Sequence, residues 1–399
     1  MGEFSLHIEG WRALPQSFSI LCASYCLELL KRREVNLTFT DAPLPPSTFL
    51  RVGSWNPTTG IRPDSDEKAL AAIPSQEPGA RIDATYRISL PYDFTPAPQG
   101  RTFVFAVAEG DSLNDEVIRG RRSLREALPQ DVTLLTCSER SRKALIASGA
   151  APNRVVTCPL GADTRFFRPI DAERRSVIRT ARGIAEDEFV FLHVGALYGW
   201  KGTPILLKAF AVVAARHPHV RLMLKGVDAI YASRGSVAQA FAALSSTERA
   251  LTESKLMYSG ATLSTAALAD LYRAADVLVS PYRYEGFNLP VLEAAACGTP
   301  VICTAGGPTD EFTREDFAWR ISSVEEKGGG LNPDIDHLIT LMERAIEDRQ
   351  FRARVEAAGP AFVAQGYTWE KATDRLLTAL RSDSFDSNGE PIFKVASPV

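Results

Sequence analysis

Apolar residues along the chain fall into two alternating patterns, short runs of about four to eight and longer stretches with helical periodicity. The clearest succession begins with "EFVFLHVG", a β-type run ending at Gly195. It continues through "TPILLKAFAVVAARH", a helical stretch with Pro204 in its first turn, and returns to a strand in "VRLMLKG". A second such unit reads "DVLVSP", "LPVLEAAACG" and "PVICT", where Pro290 suits a helix start and Gly298 a helix stop. The first half carries the same grammar in "FSLHIEG", "RTFVFAVA", "VTLLTCS" and "RVVTCPL". Strands alternating with helices predict an α/β fold of parallel sheets covered by helices.

Between these elements, residues 43–100 are rich in Pro, Gly and Thr, which predicts long loops. The segment "PLGADTRFFRPIDAERR" separates two βα arrays of comparable size and predicts an interdomain linker there. The domains expected are 1–168 and 169–366. Beyond residue 382 periodicity is lost, so 383–399 reads as a surface tail.

Composition narrows the class. With 399 residues, 45% hydrophobic and 23% charged, the chain is long enough for two domains with their own cores. A formal net charge of -3 and a pI near 6.1 give no general attraction to nucleic acid or acidic membranes. The six cysteines never form a C-x-x-C pair and read as reduced, buried thiols. An acidic N-terminus and the lack of about 18 consecutive apolar residues point to a soluble, cytoplasmic chain without a transmembrane segment. "SFSILCASYCLELLKRR" admits a peripheral membrane helix as an alternative. Its basic residues sit at the C-terminal end, where they also suit the helix dipole, and favour a buried domain helix. Two Asp-x-Asp pairs, Asp64 with Asp66 and Asp334 with Asp336, lie in Pro-flanked segments read as loops, and they are taken as solvated acids.

The candidate chemistry centres on "YEGFNLPVLEAAACGTP". Ligands of open parallel sheets bind beyond the C-terminal ends of strands, where helix N-termini present unpaired N–H groups. Residues Glu285 to Leu289 occupy such a place, after "DVLVSP" and before a helix. Gly286 removes a side chain, so amides around Phe287, Asn288 and Leu289 suit a phosphate. A carboxylate beside it would repel phosphate unless it meets hydroxyl donors, as sugars and ribose supply. A nucleotide sugar meets both demands, with Glu285 and Glu293 reading hydroxyls. The blander alternative leaves Glu285 exposed and gives Glu293 to the helix dipole. No other two glutamates of the chain stand eight positions apart, and the strand-to-helix placement favours the ligand site. "HVGALYGWKGTP" also follows a strand and opens a helix, placing Lys201 where an ammonium would meet a leaving diphosphate. It does not fit the G-x-x-x-x-G-K-[ST] pattern of a P-loop.

"EGFNLPVLEAAACGTPVI" closely resembles the donor-site signature of retaining glycosyltransferases of family 4. Lys201-Gly202 matches that family in register from Gly195, and the resemblance covers about residues 130–381 well and the first third only loosely. It implies a GT-B architecture, two Rossmann-like domains with parallel sheets facing a cleft. In it 1–168 binds the acceptor and is joined by a C-terminal helix at 367–382, and 169–366 binds the donor. It also implies that Glu285 contacts the transferred sugar, that Gly286 to Leu289 hold sugar and diphosphate, and that Glu293 binds the ribose. Asn288 stands where the family often has glycine, and Ala196 where it often has an arginine, so one phosphate cation is missing. No histidine follows "RTFVFAVA" as in many relatives; Glu109 occupies that strand end and becomes the acceptor-side polar candidate. Arg12, Gln16 and Ser17, between the first strand and helix, are the acceptor-side contacts expected. The run Arg119 to Arg125 suits an anionic acceptor, though a solvated helix face is the stronger reading.

The resulting expectation is a retaining, metal-independent hexosyltransferase without cofactor, taking a UDP- or GDP-hexose to an unidentified acceptor. Rival readings are an idle nucleotide-sugar-binding subunit and an epimerase or phosphorylase on the same fold.

Overall fold

The computed structural model describes residues 3–43 and 60–393. Its contacts gather the described parts of 1–49, 56–161 and 369–399 into one unit and 162–368 into another. In the first, β1 (Phe4–Gly10), β2 (Val35–Asp41), β3 (Ala84–Ile88), β4 (Arg101–Phe105), β5 (Val132–Thr136) and β6 (Val155–Thr157) form a sheet in the order β2-β1-β3-β4-β5-β6. All its pairings are parallel. Every residue of β3 and β5 is buried, as a parallel sheet covered on both faces requires.

The Ser17–Leu29 helix starts at Gln16, whose Oε1 accepts the Phe18 N–H at 2.8 Å. Phe18, Leu21, Cys22, Tyr25, Cys26 and Leu29 are all buried on it. The Trp369–Arg381 helix returns to cover it, with Trp369 edge-on to Tyr25 at 5.5 Å and Asp374 paired to Arg32 at 2.7 Å. Most of the apolar surface of this helix is thus spent on the unit's own core, as the buried-helix reading expects. Among the described residues no helix is long and apolar enough to cross a membrane. All six cysteines are buried thiols.

The second unit repeats the architecture with β7 (Phe189–Val194), β8 (Val220–Lys225), β9 (Leu256–Ser259), β10 (Val277–Ser280), β11 (Val301–Thr304) and β12 (Ala318–Ile321). Their order is β12-β11-β10-β7-β8-β9, again all parallel. From β7 the chain winds outward to β8 and β9; from β10 it winds the other way to β11 and β12. The adjacent pair β7 and β10 is therefore the topological switch point, where the loops at the strand ends diverge and leave a crevice.

Several expectations need correction. Residues 44–59 of the expected loop region lie outside the described residues, but the remainder holds a helix, Asp64–Ala71, and strand β3. Asp64 and Asp66 open that helix rather than lying in a loop, and Asp66 is buried. Asp334 caps the Ile335–Glu347 helix, accepting the N–H groups of Asp336 and His337 at 2.9 and 3.0 Å. These carboxylates complement helix N-termini, and Asp64, Asp334 and Asp336 are exposed, the solvated acids expected. From Ala162 the expected linker is bound to the second unit: Ala162 N–H donates to Tyr367 O at 2.8 Å. Residues 383–393 are not a loose tail. Ser384–Phe385 pairs with Pro391–Ile392, Phe385 is buried, and Arg142 donates to Ser387 O at 2.8 Å; 394–399 lie outside the described residues. Arg119 to Arg125 present no long helix face, since only Leu124–Ala127 is helical.

Trp369 is 5% exposed and seals the first unit's core against Tyr25. Its replacement by alanine is expected to cost about 3 kcal/mol, read as a lower urea midpoint and faster amide exchange in β1 and the Ser17–Leu29 helix. An unchanged midpoint would show that the return helix adds little to the first unit.

Candidate functional site

Two loops meet at the β7/β10 switch point. The first leaves β7 at Gly195, whose N–H donates to Lys225 O at 3.0 Å. Leu197 follows with φ 60° and a fully buried side chain, and a 3-10 turn, Gly199–Lys201, leads to Gly202. Gly202 has φ 85°, and a Cβ on it would lie 1.9 Å from the Pro281 carbonyl oxygen. Only glycine allows the two loops so close. The Trp200 carbonyl then accepts the N–H groups of Arg283 at 2.8 Å and Tyr284 at 3.2 Å, strapping the loops together.

This contact brings Lys201 and Glu285 into an ion pair, Nζ to Oε2 at 2.6 Å, with side chains 17% and 15% exposed. Lys201 also donates to Tyr284 O at 3.3 Å, and Glu285 accepts the Gly286 N–H at 3.3 Å. Glu285 is thus not the exposed acid of the blander alternative. Asn288 adopts φ 82°, ψ 66°, the left-handed region that asparagine tolerates best after glycine. Its amide is buried and donates to Ser280 Oγ at 2.9 Å. Phe287 stacks on Phe312 at 4.6 Å and Leu289 is buried, so these residues offer a ligand their backbone rather than their side chains. Asn288 provides no side-chain cap to the Leu289–Ala296 helix, whose N-terminus opens at the crevice.

Glu293 lies on that helix, 7% exposed. Burial pushes its pKa up to about 7, opposed by the hydrogen bond it accepts from Tyr272 OH at 2.7 Å. Tyr272, on the Thr265–Ala274 helix, is a site residue that sequence reasoning missed. Nothing in "LADLYRAADVLV" separates it from a core tyrosine, and its ring does pack on Phe167 at 5.9 Å. His193 joins β7 to β10 beneath the loops. Burial lowers its pKa to about 4, so the neutral ring donates from Nδ1 to Val279 O at 2.7 Å, leaving Nε2 buried without a partner.

Gly195, Ala196, Lys201, Glu285, Gly286, Phe287, Asn288, Leu289 and Glu293 all belong to the second unit. The Ala196 carbonyl accepts Ser233 Oγ at 3.1 Å. The other candidates belong to the first unit. Arg12 pairs with Asp41 at 2.5 Å, donates to Leu70 O at 2.5 Å and lies over the Phe39 ring at 4.0 Å. Gln16 caps its helix through Oε1 while Nε2 is buried without a partner; Ser17 is exposed. Glu109 is partly buried in the turn after β4, and its charge helps burial raise the pKa of Tyr92. Among the described residues no group of three or more His, Cys, Asp or Glu is gathered as a metal site would require.

Residues 174–362 match the family model of the Glycosyl transferases group 1. D-inositol 3-phosphate glycosyltransferases of Mycobacterium bovis (strain BCG / Pasteur 1173P2) and Mycobacterium tuberculosis (strain ATCC 25618 / H37Rv) are each 31% identical over 263 residues, covering 65% of this chain and 50% of the relative. The chain spans about half the length of the curated relatives it matches. Sucrose-phosphate synthase from Thermosynechococcus elongatus superimposes with a TM-score of 0.67 at 18% identity, over 95% of this chain and 98% of that one. Anabaena Alr3699/HepE, solved with UDP and glucose, gives 0.67 at 15% identity, over 95% and 100%. At these identities the likeness is one of fold, the expected GT-B arrangement of α/β, Rossmann-like units with parallel sheets.

The elevated pKa of Glu293 sets a pH dependence. Between about 4.5 and about 7 the folded protein keeps a proton that the unfolded chain releases, so this group lowers stability as pH rises through that window. The full effect above it is about 3 kcal/mol. Glu293→Gln keeps an acceptor for Tyr272 and cannot ionise. It is expected to match the wild type near about pH 4 and to exceed its stability by about 2–3 kcal/mol near about pH 8. Urea unfolding at both pH values checks this, and a pH-independent difference would refute it.

Proposed function

We propose, from the premise that residues 174–362 belong to the group 1 glycosyl transferases, that the chain transfers a hexose from a UDP- or GDP-hexose to an acceptor hydroxyl. Retention of configuration and independence of metal are part of the proposal. The observation that carries it is the Lys201–Glu285 pair, held across the switch point beside the open N-terminus of the Leu289–Ala296 helix. That a structural neighbour is described in complex with UDP-glucose supports a uridine nucleotide.

In this reading the diphosphate lies against the backbone N–H groups of Phe287, Asn288 and Leu289, near the Lys201 ammonium, which offsets negative charge as the anomeric bond breaks. The Glu285 carboxylate, held in place by the Lys201 ammonium on Oε2, accepts hydrogen bonds from hydroxyls of the departing sugar. Glu293 accepts from the ribose hydroxyls. The acceptor oxygen attacks the anomeric carbon on the face that the diphosphate leaves, and its proton passes to the leaving phosphate oxygen, so no separate base is needed. Unit 162–368 binds the donor, and the remaining unit, with Arg12, Gln16, Ser17 and Glu109, serves the acceptor.

A panel of UDP-, GDP- and dTDP-hexoses tests this. One donor is expected to support hydrolysis or transfer, with the anomeric configuration of the product retained by NMR. Glu285→Ala is expected to lower kcat by about a hundredfold or more. Glu293→Ala is expected to raise the donor KM about tenfold at nearly constant kcat. Tight nucleotide-sugar binding by the wild type with neither transfer nor hydrolysis would instead identify an idle binding subunit.

A further inference from the structure

At the switch point the charges nearly cancel before a ligand arrives. Lys201 already faces Glu285 at 2.6 Å, and Glu293 adds an acid. Arg283, in the same loop, pairs with Glu326 and reaches the Leu331 carbonyl. A nucleotide-sugar diphosphate brings a negative charge on each phosphate. Its binding there calls for positive charge beyond Lys201.

Lys225 ends β8, the strand beside β7, and its carbonyl receives the Gly195 N–H. The residue is 4% exposed. Its ammonium has three donors and makes one hydrogen bond, to the carbonyl of Gly226, and it has no ion pair. Asp228, the acid whose charge it feels, is already bonded by Tyr258 OH at 2.5 Å and the Arg234 N–H at 3.0 Å. Leu222, Met223 and Leu224 precede it as buried apolar residues, and another apolar side chain would fill this place without desolvating a charge. Ser233 Oγ donates to Ala196 O and accepts the Val227 N–H at 3.2 Å, tying the loop after β8 to the loop after β7.

We propose that Lys225 is a second phosphate-neutralising cation of the nucleotide site, its flexible stem releasing the Gly226 carbonyl to meet the diphosphate. This rests on the nucleotide-sugar reading above. Lysine suits the task because its ammonium is a mobile point charge on a four-carbon stem. Burial lowers its pKa to about 8 in the empty protein, and a diphosphate beside it restores the charge, so binding above that pH takes up a proton.

The test is calorimetric titration of the full chain with UDP and GDP, with uridine and guanosine as controls, for the wild type and Lys225→Met. The variant is expected to bind the preferred diphosphate about tenfold or more weakly and its nucleoside unchanged. Equal affinity of wild type and variant for the diphosphate overturns the inference, as does an equal loss for diphosphate and nucleoside. Should the variant not fold, the wild type decides: at about pH 8.5, titrations in two buffers of different ionisation enthalpy are expected to show net proton uptake. No uptake overturns the inference. A wild type that binds neither diphosphate sinks the nucleotide-sugar reading and this inference with it, whereas binding that Lys225→Met retains sinks the inference alone.

Discussion

The second unit depends on one steric constraint, the space that the Pro281 carbonyl occupies against Gly202. A side chain at position 202 would push the loop after β7 away from the loop after β10. The Trp200 carbonyl would then lose its two amide donors and Lys201 its carboxylate, 84 positions away in sequence. The layers beneath serve the same contact: β7 and β10 are hydrogen-bonded neighbours, and His193 joins them a second time through Val279 O. The crevice is thus prepared by backbone geometry, with the charged pair as its consequence. Removing either member alone would leave a partly buried charge without its counterion.

Much of this was legible because parallel strands buried on both faces read as continuous apolar runs. Phe189–Val194, Val277–Ser280 and Val301–Thr304 stand out for that reason, and the helices between them are marked by Pro204, Pro290 and Gly298. The strands that escaped are those without such a run. Val35–Asp41 alternates and ends exposed, and Leu256–Ser259 is only half-buried along its length. Ala84–Ile88 is interrupted by Arg87, a charge made tolerable by Glu9 at 2.8 Å. Asp64–Ala71 was hidden because acids next to Pro63 resemble a turn until a helix N-terminus is seen to use them.

The site divides along the same line. Glu285, Lys201 and Gly202 are readable because glycine and proline punctuate the loops that bear them. Asn288 is a left-handed residue in disguise, and its glycine-like backbone explains how the loop keeps its shape with a side chain present. Tyr272 and Lys225 acquire their meaning only from tertiary neighbours, a carboxylate on another helix and a loop on the next strand. No local pattern encodes either.

The two glutamates share a loop and a helix but not a physical state. One oxygen of Glu285 has an ammonium on it; Glu293 has only a phenol, in a place where burial holds its pKa near neutrality. It also lies beyond the first turn of its helix, where the macrodipole has largely faded. In the proposed complex, ribose hydroxyls donating to Glu293 would favour its ionised form, so binding there would draw off a proton that the empty protein holds below about pH 7. On the proposed reading, nucleotide affinity would therefore be coupled to proton concentration through Glu293.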